Sequence, residues 1–351
     1  MALPREEQAK FIRLLASHVS SGASIKEALH SLAEDYKDFG LLEVPPSLYS
    51  LVPKKFRKGW VSEELETAVQ EIEMGRKEQE VLEELSILDE DVRKTLASAV
   101  ESGVFEKTAE KLADILELEV KLLGELKQVA FGPTIAIFLA LIFTYIMVFM
   151  FVPKVASSVT HKEELPLTVK AAYTVSQHPY LFVLGVVLLF AAVYLFVRSG
   201  VWKSKLSAYR TFEKLRFLNW LKLLYETGWQ DVRVFQFLLD AGFSKKWREA
   251  IEDALYRIEG GESPLEVFEE FKKRKLLANS DYSFIRTGLN VGNLPRHLEP
   301  DLRFLKGETE RVIKRDIALI QAFFLIAVGT YIAGLYLGIQ LPLVSAMQRA
   351  M

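Results

Sequence analysis

The chain has 351 residues and a formal net charge of −2, although 26% of its residues are charged and its mean hydropathy is +0.15. This near-neutral balance gives no electrostatic attraction to nucleic acid, so no nucleic-acid partner is expected. The absence of cysteine excludes disulfides and thiolate metal sites. The first residues lack the apolar core of a secretion signal, so no cleavable signal peptide is expected.

The first 128 residues show the spacing of amphipathic helices. Apolar residues recur at helical intervals from Phe11, with a break at Gly22, and a proline-rich stretch over residues 39–60 predicts a loop with one short helix. A further break at Gly103 precedes a long helical pattern that leads towards the first uncharged run. We therefore predict a helical bundle over residues 1–128.

Residues 62–91 carry twelve acidic side chains against two basic ones, and their apolar residues keep helical spacing. The pattern predicts two helices broken near Gly75, each with an acidic face. Glu63, Glu66 and Glu73 belong to this face. They form either a docking surface for a basic partner or an ordinary solvated surface.

Three uncharged runs follow, and a bilayer core needs about 20 apolar residues of helix to be crossed. They predict membrane helices over residues 129–152, 180–197 and 317–345, the first ending at Pro153 and the last at Pro342. Eleven basic residues flank the spans on one side against four on the other, which predicts a cytoplasmic N-terminus and a periplasmic C-terminus.

The last predicted membrane helix contains Gly334 and Gly338, with Thr330 one turn earlier on the same face. Small residues at this spacing allow two helices to approach closely, within one chain or between copies. Glycine is also common in membrane helices without such a role. The basic cluster at residues 272–275 similarly allows either contact with an acidic partner or lipid headgroups, or plain solvation.

The two soluble segments resemble each other. Residues 66–85 and 252–271 share nine identities in twenty positions, and Gly103 to Pro153 spans the same fifty residues as Gly292 to Pro342. We therefore predict a duplicated unit of helical bundle followed by a membrane helix, with the middle span returning the chain between the copies.

These observations predict an all-α integral membrane protein with three transmembrane helices and two repeated cytoplasmic helical bundles. The predicted domains are the cytoplasmic bundle 1–128, membrane helix 129–152, periplasmic loop 153–179, membrane helix 180–197, second cytoplasmic bundle 198–316 and membrane helix 317–345.

No enzyme motif is present. The sequence lacks a phosphate-binding loop, a His-Glu-x2-His pair and a Gly-x-Ser-x-Gly elbow, and its five histidines are scattered without the spacing of metal ligands. No catalytic, cofactor-binding or metal site is assigned, and no cofactor is expected.

The chain resembles the PilC/GspF family, the inner-membrane platform proteins of type IV pili and type II secretion systems. The resemblance covers nearly the whole length. The repeat turn positions that carry it are Gly22, Gly103, Gly228 and Gly292, with Phe11 and Leu15 before Gly22, Phe217 and Leu221 before Gly228, and Leu341-Pro342 in the last span. Ala99, Val100, Leu289 and Val291 depart from the family turn, and the short chain points to a divergent branch such as that of type IVb pili.

The resemblance implies a non-catalytic scaffold that couples a cytoplasmic hexameric assembly ATPase to pilin or pseudopilin extraction and fibre assembly. It also implies contact with other inner-membrane assembly proteins and with lipid, and a homo-oligomeric state. The acidic residues Glu63, Glu66 and Glu73 are candidates for the ATPase contact. The alternative is a small polytopic transporter or channel subunit, although the predicted spans offer few of the buried polar groups that transport requires.

Overall fold

The structure is a computed structural model that describes residues 2–40, 57–128, 131–154, 167–199 and 206–350. Every regular element in these ranges is a helix, and none is a strand. The all-α fold class predicted from periodicity is therefore confirmed.

Six helices form the first part of the chain. They are α1 (Arg5–Ser20), α2 (Ile25–Asp35), α3 (Trp60–Glu73), α4 (Glu78–Glu84), α5 (Glu90–Glu101) and α6 (Phe105–Gln128). The predicted breaks near Gly22, Gly75 and Gly103 all fall between helices. Residues 41–56, which contain most of the predicted proline-rich loop, lie outside the described residues.

The turn between α1 and α2 shows how local sequence places these breaks. Gly22 has a φ of +96°, a conformation that residues with a side chain rarely adopt. Ser24 then caps α2: its hydroxyl accepts a hydrogen bond from the Glu27 backbone N–H at 3.2 Å, and the Glu27 carboxylate accepts one from the Ser24 N–H at 2.8 Å. This capping box fixes the start of α2.

The middle of the chain is apolar. It contains α7 (Phe131–Ile146), a π-helical turn (Met147–Phe151), α8 (Leu167–Gln177) and α9 (Pro179–Ser199). The last part contains α10 (Ser207–Glu226), α11 (Asp231–Asp240), α12 (Lys245–Glu259), α13 (Pro264–Lys273), α14 (Asn279–Val291) and α15 (Leu294–Ala350).

Two helices are long and apolar enough to cross a membrane, over Ile135–Lys154 and Leu294–Gly338, and a third candidate is a pair of helices bent by 103° at residue 178. The apolar side chains along them are exposed, Phe138 by 61% and Leu325 by 73%, as expected for surfaces that face lipid. The described residues therefore provide two to three of the predicted membrane helices.

Three local expectations need correction. Part of the predicted loop 153–179 is the helix α8. Pro153 lies inside a helical turn that continues to Lys154, and α15 runs through Pro342 to Ala350. The prediction that Pro342 ends the last membrane helix is therefore wrong. A proline removes one backbone hydrogen bond, and membrane helices tolerate this loss because neighbouring groups can satisfy the freed carbonyl.

The chain divides into two compact units. Unit 1 comprises Met1–Leu123 and Thr211–Thr309, and unit 2 comprises Gly124–Arg210 and Glu310–Met351. Unit 1 thus combines most of both predicted soluble bundles. Its core consists of fully buried side chains from both parts: Phe11, Ile12, Leu15, Leu29, Leu32, Leu65, Leu82, Phe217, Trp220, Phe235, Phe268 and Phe271.

The first six and last six helices follow one plan. Glycines with positive φ lie after the first, third and fifth helix of each set: Gly22, Gly75, Gly103, Gly228, Gly261 and Gly292. This order agrees with the internal repeat, which stays a prediction.

Candidate functional site

The three acidic residues predicted to contact a partner all lie on α3. Glu63, Glu66 and Glu73 are exposed, and Glu73 Oε1 lies 3.6 Å from Lys26 Nζ. The opposite side of the helix is buried in unit 1. The structure thus places these carboxylates on one solvated helix, where a protein partner can reach them.

A groove of about 330 Å³ lies between α3 and α4. Its walls carry four carboxylates, Glu63, Glu64, Glu71 and Glu84. The remaining lining residues are Trp60, Thr67, Ala68, Val81, Leu85 and Ser86. Of the predicted contact residues, only Glu63 belongs to this groove.

Arg76 neutralises one end of the groove. Its guanidinium donates to Glu71 at 2.8 Å and to both oxygens of Glu84 at 2.8 and 3.0 Å. These hydrogen bonds hold the pKa of the Glu84 carboxyl below its ordinary value. At the other end, Glu64 accepts hydrogen bonds from the Ser86 hydroxyl at 2.8 Å and the Ile87 backbone N–H at 3.0 Å, which fix its orientation.

A buried charge network joins the two parts of unit 1. Glu119 on α6 is only 4% exposed, and its Oε1 accepts hydrogen bonds from Arg216 Nε at 2.9 Å and from the Trp220 indole N–H at 3.1 Å, both on α10. Arg5 Nε on α1 lies 3.9 Å from Glu119 Oε2. One carboxylate therefore ties together three helices from the two parts of unit 1.

Arg5 extends this network to α5. Its guanidinium donates hydrogen bonds to Asp89 at 3.0 Å and to both carboxylate oxygens of Asp91, which is 9% exposed. Gln8 adds an uncharged link, since its side chain accepts from the Asp89 backbone N–H at 3.1 Å. Because buried charges are costly without partners, the network makes the junction sensitive to the loss of any member.

A second set of buried carboxylates lies among α10, α14 and α15. Lys214 Nζ is 3.1 Å from Asp281, which also accepts a hydrogen bond from the Ala278 backbone N–H at 2.7 Å. Asp301 is 3% exposed, and its Oδ2 has no hydrogen-bond partner among the described residues. Burial, aided by the negative charge of Asp281, raises the pKa of Asp301 to about 6.

The predicted repeat turns lie at helix ends. Gly22, Gly103, Gly228 and Gly292 follow α1, α5, α10 and α14, with φ values of +96°, +68°, +78° and +72°. Pro153 and Pro342 instead lie within helices. The glycines therefore occupy turns, and the prolines do not.

In unit 2, α7 and α15 meet through a hydrogen bond of 2.9 Å between the Thr144 and Tyr331 hydroxyls. The predicted packing residues do not form this contact. Thr330 is exposed, Gly338 is half-buried, and a side chain added at Gly334 would meet no heavy atom within 4 Å. Within the described residues, the face of Thr330 and Gly334 is thus open to a further helix.

Sequence reasoning missed the network around Glu119 and the buried Asp301. The available signal was a carboxylate in the apolar stripe of each long helix: Glu119 continues the spacing of Leu112 and Leu116, and Asp301 that of Leu298 and Leu305. Within the described ranges, no group of three or more histidine, aspartate or glutamate side chains has the geometry of a metal site.

The fold and these sites define a helical membrane protein with a charged soluble unit and no assembled catalytic constellation in its described part. Residues 47–153 match the sequence model of the family described as type II secretion system (T2SS), protein F. This match supports the GspF/PilC family of membrane platform proteins that the motifs predicted, while the type IVb branch stays a prediction. The matched residues include α3 to α7 and end at Pro153. A comparison with curated proteins gave no match.

Proposed function

We propose that the chain is the inner-membrane platform of a type IV pilus or type II secretion machine. The observation that carries this proposal is the family match, which extends from the acidic helices of unit 1 into the first membrane helix. In this role the protein has no motor of its own. It receives conformational work from a cytoplasmic hexameric ATPase and passes it to pilin or pseudopilin subunits, which leave the bilayer and join the fibre.

The proposed topology places the two helical bundles, residues 1–128 and 198–316, in the cytoplasm. The basic residues flanking the spans support a cytoplasmic N-terminus and a periplasmic C-terminus. Three membrane crossings agree with this orientation, because an odd number puts the termini on opposite sides. The open face at Thr330 and Gly334 provides a place for a second copy or for another inner-membrane assembly protein.

Gene deletion tests the platform role. Loss of surface fibres or of secretion, while pilin is still made and inserted, is the expected result. Purified protein that moved a solute across a reconstituted bilayer without any pilus component would overturn the proposal in favour of a transporter.

The acidic face of α3 is the proposed ATPase contact. Reversing Glu63, Glu66 and Glu73 to lysine should abolish co-purification with the ATPase, because the three exposed carboxylates would then repel a basic surface. A matched control reverses exposed carboxylates of α12, Glu249 and Glu252. Unchanged ATPase recovery from the α3 variant would exclude this contact.

A further inference from the structure

A groove of about 560 Å³ lies among α6, α10 and α15, within unit 1. Its floor is apolar and includes the buried side chains of Ile115, Leu215 and Leu302. The polar and charged lining residues are Asp114, Glu117, Lys121, Asn219, Lys222, Glu299, Arg303 and Lys306. The groove therefore offers a ligand both apolar surface and charge.

The acidic side chains of the groove already have partners. Arg13 on α1 donates hydrogen bonds to Glu117 at 2.9 Å and to Asp114. At the other acid, Lys222 Nζ lies 4.0 Å from a carboxylate oxygen of Glu299. The negative charge of the groove is thus neutralised by cations of the chain itself.

Two basic side chains of the groove are not neutralised in this way. Among the described residues, no carboxylate forms an ion pair with Arg303 or Lys306. Both are exposed, and because they lie three residues apart on α15 they share one face of the helix. Like charges at this spacing repel each other, and an anion bound between them would remove the repulsion.

The first half of the chain shows how the corresponding positions are neutralised there. The predicted repeat aligns residues 11–22 with 217–228 and residues 103–153 with 292–342, which pairs Arg13 with Asn219, Asp114 with Arg303 and Glu117 with Lys306. In the first half one arginine binds two acids. In the second half two cations share a groove with an uncharged amide. The order of charge is reversed and the counter-charge is missing from the position of Asn219, so a ligand can supply it.

A phosphate group fits this set of donors. The Arg303 guanidinium offers paired N–H donors, and the Lys306 ammonium is a compact charge. The half-buried Asn219 amide adds a neutral donor, because its side chain forms no hydrogen bond within the described ranges. A phosphate ester has enough oxygens for all three donors, whereas one guanidinium can already satisfy both oxygens of a carboxylate. The apolar floor suits the organic part of the ester.

We propose that Arg303, Lys306 and Asn219 form a binding site for a phosphate ester, whose apolar part lies against Leu215 and Leu302. Two sources carry this group, the headgroup of an anionic lipid and a soluble phosphate compound. The position of the site in the chain favours the lipid, since the uncharged run of α15 begins at residue 317, shortly after Lys306, and basic residues near such a run attract anionic headgroups.

The test uses the full chain in an uncharged detergent. Native mass spectrometry during titration with phosphatidylglycerol gives Kd for an anionic lipid, with phosphatidylcholine as the lipid without net charge. Calorimetric titration with phenyl phosphate tests the soluble source. Arg303→Gln and Lys306→Gln should each weaken binding of the recognised probe by about five-fold, since each removes one charge next to the phosphate. The matched control Arg248→Gln removes an exposed cation of α12 and should change Kd by less than about two-fold.

A variant that supplies the missing acid guards against damage to the fold. Asn219→Asp places a carboxylate in the groove with Arg303 and Lys306, so it should raise the Tm of the ligand-free chain and weaken binding of the probe by more than about five-fold. A lower Tm would overturn the proposal, because the added acid would then have found no unpaired cation.

Three binding results would also overturn it. They are the failure of phenyl phosphate to bind together with equal binding of phosphatidylglycerol and phosphatidylcholine, equal weakening by Arg303→Gln and Arg248→Gln, and an unchanged Kd for Asn219→Asp. The assay contains no ATPase or pilin, so its outcome is independent of the platform role, which gene deletion tests.

Discussion

The first and last six helices of the chain follow the same order, yet they place opposite charges at positions that the predicted repeat pairs. Across the turn at Gly75, the Glu71 carboxylate accepts a hydrogen bond of 2.8 Å from Arg76. Across the turn at Gly261, Arg257 donates a hydrogen bond of 2.6 Å to Glu262. The base therefore precedes the turn and the acid follows it, the reverse of the order at Gly75. The turn thus accommodates an ion pair of either polarity.

The long sixth helices differ in their interiors. Leu112 on α6 is fully buried, and the predicted register places Asp301 of α15 opposite it. Glu119 on α6 is buried in the junction, whereas Glu308 at the corresponding position of α15 is only half-buried. The common backbone plan therefore depends on apolar spacing and turns, while the polar side chains give each half its own role.

Substitutions at the interior positions Leu112 and Asp301 should differ most in their effect on the free energy of unfolding. Leu112→Asp places a carboxylate without a partner in an apolar site and should lower the free energy of unfolding by on the order of 4 kcal/mol. Asp301→Leu should cause no comparable loss, because it removes an oxygen that already lacks a partner. Urea unfolding of the detergent-solubilised chain, followed by tryptophan fluorescence, measures both. An equal loss for Asp301→Leu would contradict the prediction, because it would show that the Asp301 carboxylate stabilises the fold.

Breaking the junction should rank second. Glu119→Ala leaves the Arg216 Nε–H and the Trp220 indole N–H without their acceptor and a buried guanidinium without its carboxylate, and we expect a loss of about 3 kcal/mol in the same unfolding measurement. Glu308→Ala is the matched control and should stay within about 0.5 kcal/mol. A loss below 1 kcal/mol for Glu119→Ala would contradict the structural role of the network.

Asp301 should make stability depend on pH. Its folded pKa of about 6 lies above the ordinary value of 3.8, so at pH 5 the folded protein holds a proton that the unfolded chain releases. The resulting stabilisation is present at low pH and is lost as pH rises through 6. Asp301→Asn should therefore be more stable than the natural sequence by about 1–2 kcal/mol at pH 8, with the difference vanishing near pH 4. A difference that grew towards acid pH would show the opposite shift.

Reversing the order of acid and base in the ion pair at the Gly261 turn should have the smallest effect on stability. Glu262→Arg brings two cations together at the Gly261 turn and should lower Tm slightly, because the pair is partly exposed to solvent. Adding Arg257→Glu restores an ion pair in the order used at Gly75 and should recover the loss. A double variant less stable than the single one would mean that the turn requires one polarity. Thermal unfolding followed by tryptophan fluorescence is sensitive enough for this comparison.

Much of the fold was predictable because it depends on local sequence. Gly22, Gly75 and Gly103 interrupt apolar periodicity, and the structure breaks its helices at the same places. Uncharged runs of sufficient length likewise identified the membrane helices. These signals need no knowledge of which elements meet in space.

The junction was not predictable because its partners are distant in the chain. Arg216 and Glu119 are 97 residues apart, and no spacing rule connects them. The helix α8 was also missed, since prolines on either side of residues 167–177 favoured a loop although Ala171 and Ala172 are good helix formers.

The π-helical turn at Met147–Phe151 affects how the two membrane helices should be aligned. Here the Val152 N–H bonds to the Met147 carbonyl, five residues earlier, whereas an α-helix reaches back only four. The turn is therefore equivalent to a one-residue insertion in an α-helix, and α15 contains no such turn. An alignment of the two predicted copies needs a gap between Ile146 and Val152, even though the fifty-residue intervals from Gly103 to Pro153 and from Gly292 to Pro342 are equal in length.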